Sequence, residues 1–150
     1  LAREVEYAKG YLTIQKMRYK DKLEFEIDVE PSILNIPLIK LVLQPIIENA
    51  IYHGLKYKES KGLLQVKGFM KDGNAVLQVI DNGVGMDEET LSHIYDKHKV
   101  NYHSNGVGVY NVQKRLKLYY GENYGITYES EKGVGTTATI TIPGIQEESI

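Results

Sequence analysis

The sequence predicts an α+β fold, a two-layer sandwich with a mixed, mostly antiparallel sheet and helices on one face. Three observations carry this. Five short segments have strand character, three segments read as core helices beyond an N-terminal helix, and glycine turns join neighbouring strands as hairpins.

The chain has 150 residues, which fits one domain with one core. Hydrophobic residues make up 42% and charged residues 25%, close to globular averages. The formal net charge of -2 gives no reason to expect a nucleic-acid or anionic-membrane binder. Cysteine is absent, which excludes disulfides and thiolate metal sites. No stretch approaches the ~20 apolar residues of a membrane span. The chain starts at Leu1 in mid-pattern, so we expect a fragment of a longer protein.

Residues 1–20 read as a helix. Leu1, Val5, Ala8 and Leu12 repeat at 4-3-4 spacing, a narrow apolar seam. It fits either a surface helix of the main domain or the end of a longer dimerising helix. Leu23 to Val29 alternates apolar and charged residues, as a half-buried strand does. Pro31 ends it. Pro37 is expected to open a helix over about 38–53, rich in Leu, Ile and Val, with a kink at Pro45. Residues 63–70 and 75–80 are expected as strands, joined by the Lys71-Asp72-Gly73-Asn74 hairpin turn. Asp87 can cap a helix over about 88–95. Residues 96–106 lack periodicity and read as a loop. Val109, Val112 and Leu116 mark a helix over 107–120. Strands near 125–130 and 136–142 flank the glycine turn at 133–135, and the last seven residues are expected to fray.

Four clusters carry chemistry. In Glu48-Asn49-Ala50-Ile51-Tyr52-His53-Gly54, Asn49 and His53 share a helix face with Glu48 at its border. A buried helix rarely presents such a stripe without a polar partner. An amide oxygen and a carboxylate suit Mg²⁺ and its waters, and a histidine can bond a phosphate. The same residues also fit a helix end that reaches solvent, with Gly54 as C-cap. In Asp81-Asn82-Gly83-Val84-Gly85, Asp81 shares its strand face with Leu77 and Val79. A carboxylate that only accepts suits an N–H donor such as the adenine amine, and Gly83 and Gly85 let a flat ring approach the backbone. A plain Asn-Gly turn is the alternative. Asn105-Gly106-Val107-Gly108 leads into a helix, where exposed N–H groups suit phosphate. Gly133-Val134-Gly135-Thr136 is a hairpin turn that offers one hydroxyl.

In order and spacing these clusters resemble the ATP-binding domains of the GHKL superfamily (the Bergerat fold), which groups gyrase, Hsp90, histidine kinases and MutL. ENAIYHG resembles the N box, DNGVG the G1 box, NGVGV the G2 box and GVGTT the last box. The resemblance covers about residues 23–143. LQPIIENAIYHG and GVGVYNVQKRLKLYYG resemble the bacterial sensor-kinase branch of the LytS and YesM types, and YLTIQKMRYKDKLEFEID resembles that branch's junction with the dimerising helix. Val109 stands where Leu is usual, and the F box of many histidine kinases is absent.

The resemblance implies ATP and Mg²⁺ as cofactors. Asn49 would ligate the metal, and Glu48 would orient its waters or the attacking imidazole. His53 would approach the phosphates. Asp81 would hold the adenine amine, with Gly83 and Gly85 against the ring and Thr136 assisting through water. Asn105, Gly106, Val107 and Gly108 would form the phosphate wall, with Lys97 and Lys99 above it on a lid. Residues 1–20 would end a dimerisation helix, 21–145 form the catalytic domain and 146–150 a tail. The phospho-accepting histidine would lie in an upstream dimerisation domain, since no segment resembling NPHFLFN occurs. The partners implied are that domain, a cytoplasmic response regulator and a second copy of the full-length protein, anchored in the bacterial membrane with this domain in the cytoplasm; no nucleic acid is expected. A GHKL ATPase and a non-catalytic nucleotide-sensing module are the alternative functions.

Overall fold

The computed structural model describes residues 1–55, 58–94 and 106–145, with the backbone alone at 106 and 107. Helix α1, Ala2–Tyr19, leads through a 3-10 turn into strand β1, Leu23–Val29. Helix α2, Leu43–Asn49, continues as a π-helical turn over Ala50–Leu55. Strands β2, Gly62–Lys71, and β3, Asn74–Asp81, form a hairpin. Then come the short helix α3, Glu88–Ser92, the long helix α4, Gly106–Tyr120, and strands β4, Gly125–Glu131, and β5, Gly135–Pro143.

The five strands lie in the order β1-β2-β3-β5-β4. Only the β1–β2 pair is parallel, and α2 supplies the crossover between them. The α+β sandwich read from the sequence is the fold observed.

Strand alternation places Leu64 and Val66 of β2, Leu77 and Val79 of β3, and Ala138, Ile140 and Ile142 of β5 on one face. They share a core with Ile46 and Ile47 of α2 and Val109, Val112 and Leu116 of α4. The Asp72-Gly73 turn has φ of 52° and 80°, the left-handed pair that a two-residue hairpin loop needs. On α4, the Gln113 amide bonds both Ile126 N–H (2.7 Å) and Ile126 C=O (3.1 Å), which secures edge strand β4 to the helix.

The apolar seam of α1 faces its own domain. Ala8 and Leu12 are fully buried, Leu1 and Val5 are half-buried, and α1 packs on α2 and β1. Lys16 ties the far end of α1 to β1 through Leu23 C=O (2.7 Å) and the Glu24 carboxylate (2.6 Å). Among the described residues, no helix is long and apolar enough to cross a membrane.

The helix expected over 38–53 needs correction. Residues 34–42 form turns, bends and irregular chain, and α2 begins at Leu43. Pro37 therefore opens no helix. Pro45 falls in the first turn of α2, where its missing N–H has no helical acceptor, so it breaks no bond of the helix. Helix α3 is also shorter than expected and stops at Ser92. Its cap is as expected, with Asp87 Oδ1 accepting Thr90 N–H at 2.8 Å.

Candidate functional site

Asp81 ends β3 on the core face and is only 6% exposed. Its Oδ1 accepts the Gly83 N–H at 2.9 Å, and Thr136, its partner in register on β5, gives the carboxyl a backbone hydrogen bond. Burial pushes the Asp81 carboxyl up to about 6, against the pull of those two hydrogen bonds.

Three chain segments close around this carboxyl without room for side chains. A Cβ on Gly54 would lie 2.8 Å from Asp81 Oδ1, and one on Gly83 would lie 2.3 Å from the carbonyl of Gly54. Val84 N–H then bonds Gly54 C=O at 3.0 Å, which fastens the loop after β3 to the π-helical turn. Gly85 has φ of 68°, and a Cβ there would lie 2.0 Å from Glu131 O. Gly133 N–H to Val84 C=O (2.7 Å) completes the contact with the last hairpin.

Asn49, His53, Asp81, Gly85 and Thr136 line one cleft above an apolar floor that includes Ile46, Val79 and Ala138. Three of the four sequence clusters therefore meet there. Gly83 supports the cleft from behind by packing on Gly54. The Thr136 hydroxyl bonds Ser130 Oγ at 2.7 Å, and Ser130 Oγ also accepts Met86 N–H at 2.8 Å. Ser130 and Gly54 thus organise the site, and neither stands out in the sequence as a partner of Asp81.

Glu48 lies outside the cleft lining. Its Oε1 accepts the Gln44 amide at 3.1 Å. Beside it, burial and then the Glu48 charge push the Tyr11 phenol of α1 upward. Gly106 opens α4, whose first N–H groups lack helical acceptors. A Cβ on Gly108 would touch Pro45 Cβ at 3.4 Å, so α4 starts against the first turn of α2. Asn105, Lys97, Lys99 and the rest of 95–105 lie outside the described residues, as do 146–150.

Known proteins resemble this chain over most of its length. The family model described as "Histidine kinase-, DNA gyrase B-, and HSP90-like ATPase" matches residues 35–146. The chain belongs to this family. It is 32% identical over 140 residues to sensor histidine kinase YesM of Bacillus subtilis, covering 93% of this chain and 23% of that protein. It is 34% identical over 125 residues to sensor protein LytS of Oceanobacillus iheyensis, covering 82% of this chain and 21% of that protein. The chain thus spans less than a quarter of the length of either relative. In fold it is similar to the catalytic domain of histidine kinase ThkA, with TM-score 0.69 and 12% identity over 94% of this chain and 95% of that one. Mycobacterial sensor histidine kinase MprB is similar too, with TM-score 0.64 and 20% identity over 93% of each chain.

Within this nucleotide-binding family, the donors present fit Mg²⁺ only in part. Among the described residues, no group of three or more His, Asp or Glu is placed to cage a metal. Mg²⁺ commonly takes one or two protein oxygens and fills its octahedron with phosphates and waters. The Asn49 amide oxygen in the cleft fits that smaller role.

Proposed function

We propose that this chain is the ATP-binding catalytic domain of a two-component sensor histidine kinase. The observation that carries the proposal is the Asp81 carboxyl, buried at the end of an apolar cleft that Asn49 and His53 also line. An ionised acceptor beside a flat apolar floor suits adenine, whose amine must donate.

In this reading Asp81 holds the adenine amine. Asn49 holds Mg²⁺, which would shield the phosphate charge, and His53 bonds a phosphate. The first N–H groups of α4, at Gly106, Val107 and Gly108, meet the triphosphate with Asn105 beside them. Thr136 supports Asp81 through its backbone, and Glu48, from outside the cleft lining, orients the metal's waters or the attacking imidazole. The γ-phosphoryl group passes to a histidine in a dimerisation domain outside residues 1–150, and from there to a response regulator. The full-length protein would be a homodimer anchored in the bacterial membrane with this domain in the cytoplasm. Residues 1–20 would connect the two domains. Phosphoryl transfer is largely positioning and charge stabilisation, so a nucleotide cradle and a separately supplied imidazole suffice.

The test is to incubate the chain with radiolabelled ATP and Mg²⁺ and quench in alkali, which preserves phosphohistidine. The chain alone should bind ATP and take up no label. Addition of the upstream domain should place label on a histidine outside residues 1–150. Stoichiometric label on a histidine of the isolated chain, or steady phosphate release without a partner, would overturn the proposal.

A further inference from the structure

The segment 37–43, just before α2, has its backbone held by side chains from two other helices. From α1, Glu4 is 8% exposed and accepts three consecutive N–H groups: Leu41 at 2.7 Å, Val42 at 3.2 Å and Leu43 at 3.1 Å. From α4, Arg115 donates to Lys40 C=O at 2.6 Å and Leu41 C=O at 2.7 Å. Tyr120 Oη accepts Ile39 N–H at 3.2 Å and donates to Pro37 C=O at 3.3 Å. The N–H groups of Leu41, Val42 and Leu43 go to α1, while the carbonyls of Pro37, Lys40 and Leu41 and the N–H of Ile39 go to α4. Between them Leu41 sits at φ 60°, a left-handed conformation that a leucine keeps only when its surroundings impose it.

Helix α2 is short, Leu43–Asn49, and Val42 gives it no side-chain cap. Its first N–H groups need an acceptor, and its dipole favours an anion there. Glu4 supplies both from 39 positions away from Leu43. Asn49 is the last residue of α2, and the π-helical turn that follows carries His53 and Gly54 to Asp81. Helix α4 starts against Pro45 of the same α2. A shift of α1 against the sheet would therefore be felt at the π-helical turn that lines the cleft and at the start of α4.

We propose that Glu4 is a positioning residue for the nucleotide site. Its carboxylate fixes α2 along its axis, and the orientation of α1 thereby sets nucleotide affinity. The affinity arm rests on the function proposed above. The coupling from α1 to the π-helical turn does not.

Glu4→Gln keeps the shape of the side chain but removes the charge and one acceptor oxygen. Mg-ATP affinity, measured well below the melting temperature, should fall by about fivefold or more. Hydrogen exchange should quicken at Leu41–Leu43 and onward through Asn49–Gly54. Coupling is reciprocal, so ATP should slow exchange at Leu41–Leu43 of the unaltered chain. The exposed neighbour Glu6→Gln should do none of this. An exchange change that stops at Leu43, with affinity unchanged, would make Glu4 a purely local cap and overturn the proposal. Should Glu4→Gln fail to fold, Arg115→Ala frees the carbonyl side of the turn and is judged by the same two measurements. If the unaltered chain binds no ATP, the proposed function falls. The exchange pattern over Asn49–Gly54 then still decides whether Glu4 reaches the cleft.

Discussion

Asp81 Oδ1 accepts the N–H of Gly83 at 2.9 Å, so one carboxyl both closes its own turn and faces the cleft. Its pKa rises from 3.8 to about 6, which corresponds to ~3 kcal/mol. Because the folded value is raised, the folded chain keeps a proton that the unfolded chain has lost. The stability tied to this group is full below pH 3.8 and is lost as pH rises through about 6. Asp81→Asn removes that dependence. Urea unfolding of variant and parent between pH 4 and 7 should show the variant gaining on the parent as pH rises, by up to ~3 kcal/mol. Loss of one acceptor oxygen adds a constant offset and leaves the slope alone. A pH-independent difference would mean that the carboxyl is well solvated.

The same substitution should weaken nucleotide binding under the proposed function. An amide N–H₂ group can face the adenine amine, donor against donor, and about 10- to 100-fold in affinity should be lost. Binding to the unaltered chain should also weaken as pH falls below about 6, where Asp81 takes up its proton. Calorimetric titration at pH 5 and pH 7.5 checks both. Equal affinity for the variant and the parent would place adenine elsewhere.

Gly83→Ala and Gly85→Ala test what these glycines do. At Gly83 the new Cβ would meet the Gly54 carbonyl at 2.3 Å, and at Gly85 it would meet Glu131 O at 2.0 Å with φ at 68°. Backbone cannot yield as a flexible side chain can, so each should cost about 1–3 kcal/mol or more without any nucleotide. Thermal melts of the nucleotide-free proteins report this. A variant that melts like the parent yet binds ATP poorly would return the glycine to a role against the ring alone.

Helix α1 belongs to the core by its contacts. Leu12 is fully buried, so Leu12→Ala should cost about 2–5 kcal/mol. Two positions on, Ile14 is 63% exposed, and Ile14→Ala should stay within about 0.5 kcal/mol. Denaturant curves for the pair decide whether the helix stabilises this domain. Equal, small effects would make α1 a detachable connector.

What the sequence revealed was local chemistry. The Asp72-Gly73 turn, the Asp87 cap and the alternation along β1 each depend on neighbours within a few residues, and each is found as expected. The residues of ENAIYHG and DNGVG were likewise visible, because their types are unusual on a buried helix or at a strand end. The start of α2 was not. Leu38, Ile39, Leu41, Val42 and Leu43 look helical by composition, and nothing nearby shows that Glu4 takes their N–H groups. The contact of Gly54 with Asp81 and the role of Ser130 escaped for the same reason, since their partners come from other elements of the fold.

Asn49 closes α2 and lines the cleft, half-buried. Among the described residues, no hydrogen-bond partner engages its side-chain amide. An amide that holds nothing in the fold can change without unfolding it. Asn49→Asp should therefore leave the stability of the nucleotide-free chain within about 0.5 kcal/mol of the parent. It keeps an oxygen for Mg²⁺ but sets a second carboxylate in the cleft that holds Asp81. Free ATP, strongly anionic, should bind the variant less well than the parent. Mg²⁺ should restore much of the difference, because a divalent ion between carboxylate and phosphates turns repulsion into attraction. Titrations with ATP in EDTA and with ATP in millimolar Mg²⁺ separate the effects. A large loss of stability would make Asn49 a structural amide. An unchanged ratio of the two affinities would move the metal away from it.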